Sequence, residues 1–295
     1  MANVLSTQKR AAVVRCLVEG NSIRATVRIT GVAKNTVTKL LVDLGQACSN
    51  YQNRVMKDLP CERLQVDEIW SFVYAKKRNV PDDRKGEYGM GDVYTWTAID
   101  ADTKLVPTWL VGERTLEDGK LFMEDLAGRL ANRVQLTTDG HKAYLKAVPY
   151  AFGKEIDHAV LLKLYGNFPS DDYYSPPHCV GEIARTRSGR PDPKHVSTSY
   201  VERQNLTMRM GMRRFTRLTN AFSKKVENLA HAVSLHYMHY NFCRVHQTLK
   251  TTPAVKAGVA DHVWTIEELV GLLDRPRKSA ALRGPALDSS DEISN

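Results

Sequence analysis

Apolar residues in the first fifty positions recur at three- and four-residue intervals, the spacing of helix faces packed on a core. Val13, Val14, Leu17 and Val18 share one face of a helix that starts at Ser6 or Thr7 and stops near Gly20. Ile23, Val27 and Ile29 mark a second helix behind Ser22; Val37, Leu40, Leu41 and Leu44 mark a third from about Lys34. Between them Gly31-Val32 reads as a tight turn. Two short helices separated by a Gly-containing turn, the second with polar residues at its start, form a helix-turn-helix pattern. It is assigned to residues 1–50. In that reading Lys34, Asn35, Thr36, Thr38 and Lys39 face a DNA major groove, while Arg24 and Arg28 reach phosphates. The plainer alternative is a small three-helix bundle used for protein contacts.

Residues 51–63 show no clear period, contain Pro60, and read as a linker. From Leu64 the texture changes to β-branched and aromatic residues, in 64–74, 93–99 and 105–111, with a charged hairpin loop over 76–91. Thr115 opens a helix bearing Leu116, Leu121, Phe122, Leu126 and Leu130. A short apolar strand over 134–138, a helix over 142–148 and a strand over 156–164 follow. Residues 165–198 are rich in Pro, Ser and charge and read as a loop insertion. Helices are expected over 199–218 and 224–242, a helical extension over 246–274, and a disordered tail over 275–295. Three strands followed by alternating helices and strands give an α/β class, a mixed sheet in the order of an RNase-H-like catalytic domain over 64–245, preceded by the all-α unit.

Charge sharpens this reading. The 295-residue chain carries a net charge of +9. Residues 1–50 hold seven Lys or Arg against two acids, and residues 183–225 hold eleven against two. The excess sits in two blocks and the remainder is net acidic, which favours nucleic acid over a generally basic surface. The five cysteines are scattered without a C-x-x-C pair, so neither a disulfide framework nor a zinc finger fits. No run of about 18 apolar residues and no signal-peptide pattern occurs, so the expectation is a cytosolic protein without membrane partners.

Three acids stand where packing does not ask for them. Asp67 interrupts the first strand, Asp139 follows the short apolar strand, and Glu202 begins an otherwise basic helix. If the first and fourth strands are neighbours, the two aspartates meet, and a helix across the sheet brings the glutamate beside them. Clustered carboxylates need a cation, and hard oxygen donors suit Mg²⁺, with Mn²⁺ as a substitute. Two such ions serve phosphoryl transfer. Each acid also has a structural reading: a salt bridge for Asp67, an Asp-Gly turn for Asp139, and a helix-dipole partner for Glu202. Glu68, Asp92, Asp100 and Asp102 compete for the same roles, and spacing alone does not choose among them. Asn205, Arg209 and Arg213 share or border the face of Glu202. Arg203, Arg214, Arg217, Lys224 and Lys225 extend a positive surface for DNA phosphates. His141 and His195 lie near these stretches, where packing or solvation is the simpler role.

The stretches VDEIWSFV with AKKR, VGERT, TTDGHKAY, TSYVERQNLTMR, RLTNAFSKK and KVENLAHAVSLHYMHYNF occur in that order over roughly residues 64–245. In them the chain resembles transposases of the insertion-sequence-one family, a branch of the Asp-Asp-Glu transposases. The resemblance implies an RNase-H-like domain with Asp67, Asp139 and Glu202 as catalytic metal ligands, and so selects them over neighbouring acids. It also implies an N-terminal helix-turn-helix reading terminal inverted repeats, end cleavage with strand transfer into target DNA, and a homo-oligomer assembled on DNA. Members of that family often carry a cysteine finger ahead of the helix-turn-helix; no such pattern stands here. The competing expectations are a helix-turn-helix regulator or a decayed transposase, either binding DNA without cutting it, and a nuclease that cuts without joining.

Overall fold

The computed structural model describes residues 5–166, 178–216 and 219–274. Helices α1 (Thr7–Val18), α2 (Ile23–Thr30) and α3 (Lys34–Val55) form the N-terminal layer. The Ser6 and Ser22 hydroxyls accept from Lys9 N and Ala25 N, the capping bonds their positions anticipate. Gly31 ends α2 in the left-handed region at φ 69°, where an L side chain is disfavoured. Val13, Val32, Val37 and Leu40 pack a small core between the three helices.

The linker expected over 51–63 is not one. Helix α3 continues to Val55, and Met56, Leu59 and Cys61 are buried in the main core. Arg129 fastens the segment further, donating to Met56 O and to Asn53 Oδ1 while paired with Asp125. Ala11, Val14, Leu41, Leu44 and Cys48 belong to the same apolar cluster as the sheet residues, so the N-terminal helices share the sheet's core.

The sheet has six strands: β1 (Arg63–Val73), β2 (Gly91–Asp100), β3 (Trp109–Gly112), β4 (Val134–Thr138), β5 (Ile156–Gly166) and β6 (His178–Ser188). Their order is β3-β2-β1-β4-β5-β6. The pairs β1–β2, β2–β3 and β5–β6 are antiparallel, and β1–β4 and β4–β5 are parallel. Strand β3 is shorter than expected because Lys104 turns at φ 62° and Pro107 offers no N–H to a ladder. Strand β6 replaces part of the loop expected over 165–198. Its residues 182–187 are exposed, so it carries no alternation that would betray a strand. The expectations for 167–177 and for the tail over 275–295 lie outside the described residues.

Helices α4 (Leu116–Ala127) and α5 (Tyr144–Phe152) cover one face, where Trp96 packs on Phe122 and Tyr144. Helices α6 (Ser199–Gly211) and α7 (Val226–Met238) lie on the other, where the Tyr237 hydroxyl meets Thr97 Oγ1 at 2.8 Å. Helix α3 then packs on α7, where the Ser234 hydroxyl donates to Gly45 O at 2.7 Å. The C-terminal extension consists of two short helices, α8 (Pro253–Lys256) and α9 (Ile266–Val270). It returns to the N-terminal layer through Arg15–Glu267 and Arg10–Asp274 ion pairs. No helix among the described residues is long and apolar enough to cross a membrane.

Candidate functional site

The ladder between β1 and β4 ends at Gln65 and Thr137, while β1 runs on to Val73. Asp67 and Asp139 are each two residues past that last pair, so they arrive side by side where β1 loses its neighbour. The open strand edge also lets Glu68, which faces the opposite side of the sheet, lean into the same gap. One carboxylate oxygen from each of Asp67, Glu68 and Asp139 falls within 4.8 Å of the others.

Each acid is held differently. Asp67 accepts from Glu68 N through Oδ1 and from Asn205 Nδ2 through Oδ2, both at 2.8 Å. Asp139 Oδ1 accepts from His141 N at 2.8 Å, the Asp turn anticipated for the Asp-Gly step. Glu68 is fully enclosed: Oε1 accepts from Arg114 Nε at 2.5 Å and Oε2 from the Tyr144 hydroxyl at 2.7 Å. The same guanidinium stands 3.9 Å from Asp139 Oδ2. Burial, and then the negative charge of Glu68 and of Asp139, push Asp67 up to about 7, with the Glu68 N–H opposing. A cation at this gap relieves that repulsion, and the donors are hard oxygens, so the residues fit a divalent ion such as Mg²⁺ or Mn²⁺.

Glu202 is not part of this trio. It sits one turn before Asn205 on α6, and its carboxylate is gripped by Lys163 Nζ at 2.5 and 2.7 Å and by the Thr198 hydroxyl at 2.6 Å. It still adds to the negative field felt by Asp67. His141 lies edge-on to Tyr144, with Nδ1 3.4 Å from Glu68, and burial lowers its pKa; it is a packing residue beside the acids. His195 meets Arg63 and Asp192.

The residues read as DNA contacts divide. Arg24, Arg28, Lys34, Asn35, Thr36 and Lys39 are exposed; Thr38 is half-buried, its hydroxyl turned back to Lys34 O, and Lys39 pairs with Asp43. Arg203 and Arg213 are exposed and Arg209 is half-buried. Two assignments change. Asn205 is buried against Asp67, because a polar side chain on the sheet-facing side of α6 must find a partner inside. Arg214 donates to Ser223 Oγ at 2.5 Å, and desolvation lowers it to about 10, so its head is turned inward. Arg217 lies outside the described residues.

Sequence reasoning gave no role to Arg114 or Tyr144, which enclose Glu68. Both stand inside stretches already singled out, VGERT and TTDGHKAY, so the signal was present. What was missing is the sheet parity that turns Glu68 toward them. A scan against protein-family models gives no match to the chain, and a search of curated proteins gives none either.

Proposed function

We propose that the chain is a metal-dependent DNA transposase of the Asp-Asp-Glu type, cutting the ends of its element and joining them to target duplex. The observation that carries the reading is the pairing of Asp67 with Asp139 where β1 outruns β4, with a carboxylate oxygen of each within 4.8 Å of the other. The sheet order and the mix of parallel and antiparallel pairs are compatible with an RNase-H-like fold. The three-helix N-terminal layer, with its row of exposed basic and polar residues on α2 and α3, supports a helix-turn-helix that reads terminal inverted repeats. A homo-oligomer on DNA follows from the need to bring two ends together.

Asp67 and Asp139 would hold the ion, and Glu202 is the third ligand of the proposal, exchanging Lys163 for it. A bound divalent ion supplies activation of the attacking oxygen and charge neutralisation at the phosphodiester. The chain's own residues set the stage. Asn205 fixes the Asp67 carboxylate while leaving lone pairs on both oxygens. Glu68, closed by Tyr144, holds Arg114 at the edge of the gap, where a guanidinium can meet a phosphate oxygen. Exposed Arg203 and Arg213 continue the positive surface along and beyond α6.

The test is joining of a labelled duplex carrying the element's end to plasmid, with Mg²⁺ or with EDTA. Joining with Mg²⁺ alone, abolished in Asp139→Asn, is the expected result. Binding of the same duplex without cutting or joining under any metal would leave a helix-turn-helix regulator or a decayed element. Cutting without joining would leave a nuclease.

A further inference from the structure

Beyond Glu68 the sheet face that α4 and α5 cover is only partly enclosed by the described residues. Glu68, Trp70 and Phe72 alternate onto this face, and the β1–β2 register sets Trp96 beside Glu68, Tyr94 beside Trp70 and Asp92 beside Phe72. Trp96 is fully buried under the helices. The next cross-strand pair, Trp70 with Tyr94, and then Phe72 are only half-buried. The rings form a tilted array: Trp70 and Phe72 centroids are 5.8 Å apart, and Phe72 and Phe222 are 4.9 Å apart. Cations rim it. Lys224 Nζ lies 4.3 Å from the Phe222 ring centre, and the Arg114 guanidinium 5.7 Å from that of Tyr94.

We infer that this aromatic face is a stacking platform for unpaired bases of the DNA strand whose phosphate lies at the acid pair. The inference rests on the DNA-acting reading of that pair and adds where the adjoining bases go. Half-buried rings with cations at their rim suit a ligand that has a flat apolar face and an anionic backbone, and a nucleic acid strand has both. Trp70 follows Glu68 by two residues on the same face, so the platform begins about 7 Å along β1 from the acid cluster at the open edge, roughly two nucleotides of a stacked strand. Arg114 links the two, since it touches Glu68 and lies near both Asp139 and the Tyr94 ring. Two acids share this face: Glu68 is paired with Arg114, and one oxygen of Asp92 is occupied by the Lys77 N–H at 3.2 Å. A duplex keeps its base faces stacked within itself, so the platform selects a frayed or single-stranded end.

The test needs no catalysis. Binding of a labelled single strand of about six thymidylates is compared, in EDTA and at fixed salt, with an abasic strand of the same length and charge. The wild type is expected to bind the abasic strand at least about tenfold more weakly. Trp70→Leu, which keeps apolar packing but cannot stack, brings the thymidylate strand down toward the abasic level, whereas Trp70→Phe retains most of the difference. Phe222→Leu, at the far end of the array, gives an independent reduction if Trp70→Leu does not fold. Equal binding of the two strands by the wild type, or an unchanged ratio in a folded Trp70→Leu and in Phe222→Leu, would overturn the inference. Base-dependent binding without any metal-dependent joining would keep the platform and remove the enzyme reading. Joining with base-independent binding would do the reverse.

Discussion

Asn205 is the residue on which the site's geometry turns. Its amide holds one oxygen of Asp67 from a position that is itself 9% exposed, so the carboxylate cannot swing. Asn205→Ala removes that tether, and a loss of about 10- to 100-fold in metal affinity or joining rate is expected, in the range for partners that orient a ligand. A titration of Mn²⁺ followed by joining kinetics reads both quantities. Glu68→Gln separates two roles for its carboxylate. If Glu68 anchors Arg114, Mn²⁺ affinity holds and the joining rate falls; if it is the third metal ligand in place of Glu202, affinity falls as steeply as in Asp67→Asn. Of the residues at the site, Asp67 and Asp139 stood out in the sequence because an acid inside or just after an apolar strand has no packing reason to be there, but Glu68, Asp92, Asp100 and Asp102 stood out equally and only the family resemblance chose between them. Asn205 and Arg214 were read among the DNA contacts, and the structure turns both inward. Helical spacing places them near basic neighbours but does not say which side of the helix meets the sheet.

At the level of elements, β1 matters more for where it ends than for what it pairs with. Its overhang past β4 creates the open edge at which Asp67, Glu68 and Asp139 converge, and no local pattern in the sequence encodes an overhang. Strand β6 was unreadable for the opposite reason: an edge strand bathed in solvent needs no apolar face. The length of α3 was underestimated because its second half, which buries Cys48, Ser49 and Gln52, is polar in composition yet enclosed by α7. There Gln52 Nε2 donates to Ser234 O, satisfying a buried amide through tertiary contact rather than periodicity. The α3–α7 crossing depends on Gly45, where an added Cβ would come within 2.6 Å of His231 Cβ and its carbonyl oxygen. Gly45→Ala is expected to cost about 1–3 kcal/mol as the helices are forced apart. Urea unfolding measures it; an unchanged midpoint would mean that the two helices are not packed this closely.

For the molecule as a whole, one apolar cluster runs from α1 through the sheet to α9, so the N-terminal helices and the strand that carries Asp67 share one core. Limited proteolysis is therefore expected to spare the 51–63 segment, which a flexible tether would not survive. Folding also carries a pH signature. His236 on α7 is 6% exposed, and burial, followed by the neighbouring charges of His239 and Arg244, lowers its pKa from 6.5 to about 3. The unfolded chain binds that proton and the folded one does not, so the contribution is complete above about 6.5 and lost as pH falls toward 3. The melting temperature of the wild type should drop relative to His236→Gln across that window. Parallel curves would show that His236 is accessible to protons when folded.

Fe²⁺ bound in place of Mg²⁺, with ascorbate and peroxide, cuts polypeptide only where the ion sits, and mapping those cuts reports most directly on Asp67 and Asp139 as a cation site. The expected fragments arise from breaks beside Asp67 and beside Asp139, suppressed by excess Mg²⁺ and absent in Asp67→Asn. Breaks centred elsewhere, or the same breaks persisting in Asp67→Asn, would contradict it.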